Sequence, residues 1–288
     1  MKPGRFSYEA PDSIDAALAS LSAHGDGAKI IAGGQSLAPM LNMRLARPGH
    51  LIDINGLAEL GQVHLDGDRL TIGAMVRHAA LCENELIRRH CPMLTHAAKT
   101  IGHYAIRQRG TLGGSLAHAD PAAQLPLAAL ALDAEIELRS ANGTRTVAAR
   151  DFFLSIFTTV IEPDELLVAV RLPPPRLHEG WGFCLFNRRA GDFAIVSVAA
   201  TVACAESGGS ARLRLAIGGI GPVPVRVEDM ISADIAGSIE EGWSARVAAA
   251  TAATVEIEEN ERLPEDFRRE LVAALTKDAL DQALERAR

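Results

Sequence analysis

The chain has 288 residues, 48% of them hydrophobic and 23% charged, and its formal net charge is −7. This length is enough for two domains with buried cores. The acidic balance and the lack of any Lys/Arg run longer than two residues argue against a nucleic-acid surface. No apolar stretch is long enough to span a membrane and the N-terminus lacks the apolar segment of a signal peptide, so we expect a cytoplasmic protein.

The first sixty residues predict a helix, a strand, a second helix and a second strand. Asp12 and Ser13 can cap a helix with one apolar face, formed by Ile14, Ala17, Leu18 and Leu21. Residues 28–32 are typical of a buried strand, residues 37–45 of a helix and residues 51–55 of another short strand.

The middle of the chain alternates between strand and helix patterns. The dipeptide Asn142-Gly143 is a strong hairpin signal between two short strands. The predicted elements are a strand at 69–74, helices at 77–90 and 95–106, the hairpin strands at 134–138 and 144–148, and a strand at 165–173.

Three consecutive prolines at 173–175 indicate a linker, after which the pattern becomes that of an antiparallel sheet. The expected strands are 183–186, 194–204 and 213–218, with a turn at Gly208-Gly209. Helices are expected from Trp243 to about Glu258 and from Pro264 to Arg286. An apolar stripe of Phe267, Leu271 and Leu275 is interpreted as the core face of the second helix. The class is therefore α+β.

The most informative pattern is a pair of glycine segments, AGGQS at 32–36 and TLGGS at 111–115. Glycine allows positive φ and a close approach of the backbone to a ligand. Successive amides in such a turn can bind an anion. A single Gly-Gly pair is more often just a tight turn, but two similarly framed pairs suggest a ligand with two phosphates, which indicates a dinucleotide.

The common dinucleotide fold does not fit these segments. A Rossmann site needs G-x-G-x-x-G between a strand and a helix, and neither segment has that spacing. The Walker A pattern is also absent. The four cysteines, Cys82, Cys91, Cys184 and Cys204, form no C-x-x-C pair, so we expect free thiols with no zinc or iron–sulfur centre in this chain.

Three segments together resemble a known family. They are IIAGGQSLAPMLNMRLARPGHLIDIN, IRQRGTLGGSLAHADPAAQLP and RRAGDFAIVSVAA, in that order. The chain is similar over essentially its whole length to the FAD-binding medium subunits of molybdenum hydroxylases. That group includes the flavoproteins of carbon monoxide dehydrogenase and nicotine dehydrogenase and the flavin domain of xanthine dehydrogenase.

The resemblance implies a fold of the p-cresol methylhydroxylase type. The FAD-binding domain would span residues 1–175, in subdomains of about 1–57 and 58–175, and a C-terminal flavoprotein domain of antiparallel sheet and helices would span 176–288. The FAD pyrophosphate would lie on the two glycine segments. The implied cofactor-binding residues are Ala32, Gly33, Gly34, Gln35, Ser36, Thr111, Leu112, Gly113, Gly114, Ser115, Asp120, Gln124 and Phe193.

Three of these residues depart from the family pattern. Ser115 stands where the second segment commonly ends in Asn, and Gln124 replaces an Asp that relatives associate with the cofactor. Phe193 takes the place of the aromatic near the flavin ring, where it can stack but cannot donate a phenolic hydrogen bond. Arg107 and Arg109, just before the second segment, either neutralise phosphate or are solvated cations; the sequence leaves both interpretations open.

The resemblance implies an electron-transfer subunit with FAD as its cofactor and no catalytic residue or metal ligand of its own. A large partner subunit would carry the molybdenum cofactor and a small one two [2Fe–2S] clusters, in an (αβγ)2 heterohexamer. Electrons would pass from the clusters to this chain and then to an external acceptor. Two alternatives remain: a self-sufficient FAD oxidoreductase acting on its own small substrate, and a non-catalytic nucleotide-binding or assembly module.

Overall fold

A computed structural model describes residues 2–204, 212–235, 239–260 and 263–287 of the chain. Its elements are named here in chain order. The strands are β1 (Ser7–Glu9), β2 (Ala28–Ile31), β3 (His50–Asp53), β4 (Val63–Asp66), β5 (Arg69–Gly73), β6 (Glu135–Ser140), β7 (Gly143–Ala148), β8 (Phe153–Ser155), β9 (Thr158–Thr159), β10 (Leu166–Leu172), β11 (Glu179–Phe186), β12 (Val196–Ala203), β13 (Arg212–Gly218) and β14 (Val225–Arg226).

Most of the helices are grouped, between β5 and β6 and after β14, which confirms the α+β class. They are α1 (Ile14–His24), α2 (Leu37–Asn42), α3 (His78–Glu83), α4 (Glu85–His90), α5 (Pro92–Lys99), α6 (Tyr104–Arg109), α7 (Leu112–His118), α8 (Gln124–Ala131), α9 (Ser232–Ile235), α10 (Trp243–Thr254) and α11 (Glu265–Ala287). The predicted Gly208-Gly209 turn lies outside the described residues.

The N-terminal sheet has three parallel strands in the order β1-β3-β2. Helix α1 covers it, and its four predicted apolar positions are all buried. The Ser13 side chain accepts a hydrogen bond of 3.2 Å from the Ala16 amide, which caps the helix as expected. Strand β2 of this unit leads directly into the first glycine segment.

The second sheet has five antiparallel strands in the order β4-β5-β10-β6-β7, and the Asn142-Gly143 hairpin joins β6 to β7 as predicted. The two long helices predicted here are wrong, because each is broken. Asn84 has extended backbone (φ −61°, ψ 127°) and caps α4 by accepting from the Ile87 amide. Gly102, with φ of +48°, separates α5 from α6.

The C-terminal sheet is antiparallel in the order β11-β12-β13-β14, as predicted, and α10 and α11 pack on one face. The helix expected to reach Glu258 ends at Thr254. The predicted stripe on α11 is confirmed only in part: Leu271 and Leu275 are half-buried against the C-terminal core, whereas Phe267 is 38% exposed. The buried face instead carries mostly smaller side chains: Arg268, Val272, Thr276, Ala279, Leu280, Ala283 and Ala287.

The two small residues Gly180 and Gly182 of β11 explain which face of α11 is buried. A Cβ built on Gly182 would lie 2.6 Å from the carbonyl carbon of Ala279, and one on Gly180 would lie 2.5 Å from the Ala287 amide nitrogen. The helix therefore rests directly on the strand backbone. The small residues Ala279 and Ala283 lie against the strand there.

On the other face of the C-terminal sheet, α8 contacts β12 and β13, so both faces of β12 are buried. An ion network crosses this junction. Asp133, just after α8, pairs with Arg214 of β13 (2.7 Å from Nε) and with Arg226 of β14. Arg214 also pairs with Glu179 at 2.8 Å, and Arg226 also pairs with Glu228. These contacts fix the C-terminal sheet against the preceding part of the chain.

Candidate cofactor-binding site

The first glycine segment leaves β2 as an open turn with unused backbone donors. Gly34 has φ of +67°, a conformation that glycine adopts without the cost of a Cβ. The Gln35 side chain donates to the Gly33 carbonyl at 2.8 Å and closes the turn. The amides of Gly33, Gly34 and Gln35 donate no hydrogen bond to any residue that the structure describes. Backbone donors without a protein partner suit an anionic ligand.

The second glycine segment is not a loop, which corrects the sequence-based expectation. Thr111 caps α7, and residues 112–115 form the first turn of that helix. Their four amides all donate within the protein: to Val76 (3.0 Å) and Ala74 (2.8 Å) carbonyls, and to the Oγ1 (3.1 Å) and carbonyl (3.1 Å) of Thr111. Unlike the first segment, this one therefore offers a ligand small side chains and a hydroxyl rather than free amides.

The structure brings the two segments together as one site. A Cβ built on Gly33 would lie 2.8 Å from the carbonyl carbon of Arg109 and 2.9 Å from the Gly110 Cα. A Cβ on Gly114 would lie 3.9 Å from that of Ala32. Residues about eighty positions apart in sequence thus pack backbone to backbone, and the glycines are what allows this approach.

A network of polar side chains, which the sequence did not predict, links the two glycine segments. Asn55 donates through Nδ2 to the Ala32 carbonyl at 2.8 Å, and its Oδ1 accepts from Arg77 at 2.7 Å. Arg77 also donates to the Arg109 carbonyl at 2.5 Å. Asp53 accepts from Tyr8 and Asn55, and these hydrogen bonds lower its pKa although partial burial opposes the shift. The sequence places Asn55 at the end of a short strand, but no sequence pattern indicates that Arg77 is its hydrogen-bond partner.

His78 is a second residue that sequence reasoning missed. It begins α3 and is 4% exposed, with Nε2 lying 3.0 Å from the Thr111 carbonyl oxygen and 3.0 Å from Ser115 Oγ. Burial lowers its pKa to about 4, the nearby Arg107 and Arg77 charges contribute in the same direction, and the Thr111 hydrogen bond opposes them. The ring is therefore neutral at physiological pH.

This pKa predicts a loss of stability in acid. Between pH 6.5 and about 4 the unfolded chain binds a proton on His78 and the folded chain does not, so stability falls as pH falls through this window. The contribution is on the order of 3 kcal/mol. Denaturant unfolding of the wild type and of His78→Gln at pH 7 and pH 4.5 measures it. We expect a smaller acid-induced loss in the variant, and equal losses in both proteins would contradict the prediction.

Asp120 lies in the turn that follows α7, and Gln124 begins the next helix, α8. Asp120 Oδ1 accepts from the Ala122 amide at 2.9 Å, so this carboxylate shapes the turn. The Pro121 carbonyl accepts from Gly219 at 3.0 Å and links the turn to the end of β13. Gln124 is 4% exposed, and its side chain makes no hydrogen bond to the part of the chain that is described. Its side-chain amide is therefore available to a ligand.

Phe193 lies apart from the glycine segments in sequence, in a turn between β11 and β12, and is 58% exposed. The same turn contacts the region before α6: a Cβ on Gly191 would lie 2.9 Å from the Gly102 carbonyl oxygen and 3.1 Å from His103.

The sequence left open whether Arg107 and Arg109 neutralise phosphate or are solvated. Arg107 donates to the Ile101 (2.9 Å) and Gly102 (3.1 Å) carbonyls, so it stabilises the break between α5 and α6.

These features fit a dinucleotide ligand. The first segment supplies amide donors, the glycines of the second segment allow it to lie close to the first, and Gln124 offers a side-chain amide without a protein partner among the described residues. Within the described residues no group of three or more His, Cys, Asp or Glu could hold a metal ion. No helix in the described ranges is long and apolar enough to cross a membrane. All four cysteines are free thiols.

Two family models match the chain. Residues 4–175 match the FAD-binding domain in molybdopterin dehydrogenase, and residues 181–283 match the CO dehydrogenase flavoprotein C-terminal domain. In solved structures, a chain of the carbon monoxide dehydrogenase from Hydrogenophaga pseudoflava superposes with a TM-score of 0.93 at 35% identity, covering 99% of both chains. A chain of quinoline 2-oxidoreductase from Pseudomonas putida 86 gives 0.91 at 34% identity, covering 100% of this chain and 99% of that one.

Curated relatives agree over the full length. The chain is 38% identical over 288 residues to 6-hydroxypseudooxynicotine dehydrogenase complex subunit alpha of Paenarthrobacter nicotinovorans, covering 100% of this chain and 97% of the relative. It is 35% identical to the caffeine dehydrogenase subunit beta of Pseudomonas sp. (strain CBB1), covering 99% and 97%. Matching fold, glycine segments and full-length relatives together show that the chain belongs to the family of FAD-binding medium subunits of molybdenum hydroxylases, as a flavoprotein subunit of an oxidoreductase.

Proposed function

We propose that this chain is the electron-transfer subunit of a molybdenum hydroxylase, connecting [2Fe–2S] clusters of a partner subunit to an external electron acceptor. Bound FAD supplies this chemistry, because a flavin can take up electrons singly and deliver them in pairs. The observation that carries the proposal is the joined pair of glycine segments, with the free amides of Gly33, Gly34 and Gln35 on one side. No residue is assigned as an acid, base or nucleophile.

The residues proposed to hold FAD fall into four groups. The first segment would hold the pyrophosphate through its amides, and the second would approach it through small residues and the Ser115 hydroxyl. Asp120 and Gln124 would border the cofactor at the turn after α7, and Phe193 would cover the flavin ring. The proposed residues are Ala32, Gly33, Gly34, Gln35, Ser36, Thr111, Leu112, Gly113, Gly114, Ser115, Asp120, Gln124 and Phe193.

The division into domains and the assembly are also proposals. We propose an FAD-binding domain of residues 1–175, with subdomains of about 1–57 and 58–175, followed by a flavoprotein domain of 176–288. The relatives' names describe subunits of larger dehydrogenase complexes. By analogy, a small [2Fe–2S] subunit and a large molybdopterin subunit would join this chain in a cytoplasmic (αβγ)2 complex, and the large subunit would choose the substrate.

The purified full-length chain tests the proposal. We expect it to bind FAD and to oxidise no organic substrate, because the substrate site belongs to another subunit. Absorbance spectra with and without N-heterocyclic substrates measure both properties. Flavin bleaching by a substrate in the absence of partners would instead support a self-sufficient oxidoreductase. A folded chain that takes up no FAD would overturn both flavin functions and leave a non-catalytic module.

The first glycine segment can be tested separately with Gly34→Val. Valine strongly disfavours φ of +67° and would crowd the free amides, so we expect FAD affinity to fall by roughly tenfold or more. Gly67→Val is the matched control, since Gly67 has φ of +62° in the turn between β4 and β5 and nothing within 4 Å. Fluorescence titration of FAD compares the variants. Equal affinities in both would remove Gly34 from the proposed site.

A further inference from the structure

The imidazole of His78 is locked in place beside the second glycine segment. The side chain is 4% exposed, and Gly110 passes so close that a Cβ there would lie 2.6 Å from the His78 Cε1 and Nδ1 atoms. Its Nε2 contacts two oxygens, the Thr111 carbonyl and Ser115 Oγ, each at 3.0 Å. These contacts leave the ring a single orientation.

The contacts also determine which ring nitrogen carries the proton. A carbonyl oxygen only accepts hydrogen bonds, so Nε2 must be the protonated nitrogen. Nδ1 is buried without a hydrogen-bond partner among the described residues. A proton on both nitrogens would bury an unpaired charge, which is strongly unfavourable. The ring is therefore the neutral Nε2–H tautomer.

This tautomer constrains the hydroxyl of Ser115. Because the Nε2–H faces Ser115 Oγ, the hydroxyl accepts on that side and its own proton must point elsewhere. Nothing in the described part of the chain accepts that proton. Ser115 is half-buried, so its hydroxyl remains accessible. Since the amides of residues 112–115 are all used within the protein, this O–H is the donor that the second segment can still offer.

We propose that His78 is a positioning residue that fixes the Ser115 hydroxyl as a hydrogen-bond donor to an acceptor oxygen of FAD. The inference rests on the proposed function and extends it to a residue outside both glycine segments. A histidine donor on one side and a phosphate or ribityl oxygen on the other would satisfy the serine completely.

A double-mutant cycle on the full-length apo-protein tests the coupling. The variants are Ser115→Ala, His78→Phe and the double variant, and FAD affinity is measured by fluorescence titration. We expect each single variant to bind FAD about tenfold more weakly, the change expected for one lost hydrogen bond to a charged or polar ligand group. In the Ser115→Ala background His78→Phe should cause little further loss, because the hydroxyl it positions is already gone.

A conservative variant separates positioning from packing. His78→Gln keeps an N–H donor and should restore most of the affinity lost in His78→Phe, provided that circular dichroism shows both variants folded. If His78→Phe does not fold, His78→Leu, which also lacks the N–H donor, takes its place in the cycle, and the same loss of affinity is expected. If the wild type binds FAD, the inference is overturned by either of two results: losses of FAD affinity that add in the double variant, or no loss of affinity in Ser115→Ala. A wild type that binds no FAD would overturn the proposed function as well.

Discussion

Gly182→Ala should strongly destabilise or unfold the protein, although the change adds one methyl group. The new Cβ would lie 2.6 Å from the Ala279 carbonyl carbon, 2.8 Å from its Cα and closer still to its oxygen. All three are backbone atoms in the middle of the 23-residue helix α11, so no side-chain rotation relieves the clash. The helix must move away from β11 and open the core between them.

The expected cost is at or above the upper end of the range for overpacked cores, about 3 kcal/mol or more. A substantially lower melting temperature, or loss of soluble protein, is the measurable result. Gly221→Ala is the matched control in the same half of the chain, because nothing lies within 4 Å of its Cβ position. Similar melting temperatures for the two variants would show that α11 is not held against the strand as the structure places it.

Gly33→Ala should push the two glycine segments apart and thereby weaken FAD binding. Its φ lies outside the left-handed region, so backbone strain is not the cause. The added Cβ would lie 2.8 Å from the Arg109 carbonyl carbon and 2.9 Å from the Gly110 Cα. The Arg109 carbonyl is itself held by Arg77, so moving it also disturbs the hydrogen bonds to Asn55.

We expect FAD affinity to fall by about a hundredfold, which corresponds to a strain of about 3 kcal/mol at the site. Isothermal titration of apo-protein with FAD measures this loss. Gly27→Ala, in the turn before β2, has no atom within 4 Å of its Cβ position and should bind FAD normally. Unchanged affinity in Gly33→Ala would mean that the contact between the segments does not support FAD binding.

The sequence predicted many of the strands and the antiparallel C-terminal sheet because their signals are local, but it missed the short strands β1, β4, β8, β9 and β14. Alternating or continuous apolar runs with turn residues between them identify β2, β3, β5, β10 and β12, and Asn142-Gly143 identifies a hairpin. The breaks at Asn84 and Gly102 were missed because each depends on one residue leaving helical geometry within an otherwise helical pattern.

The second glycine segment was mistaken for a loop for a different reason. Glycine is a poor helix former, so a Gly-Gly pair indicates a turn when it is considered alone. Here tertiary packing prevails: a Cβ on Gly113 would lie 2.6 Å from the Ala74 Cβ, so glycine is needed for α7 to pack against the end of β5. Such a requirement is visible only after folding. The same holds for Asn55, Arg77 and His78, whose partners are 22 to 37 positions distant.

The ion network around Asp133 has a consequence for how the cofactor is taken up. Three carboxylates, of Asp133, Glu179 and Glu228, meet the guanidinium groups of Arg214 and Arg226 at the junction of α8 with the C-terminal sheet. The turn that carries Phe193 is attached to that sheet, so its position relative to the glycine segments is set during folding. The conformational entropy of ordering this turn is therefore lost during folding, and cofactor binding does not carry that cost again.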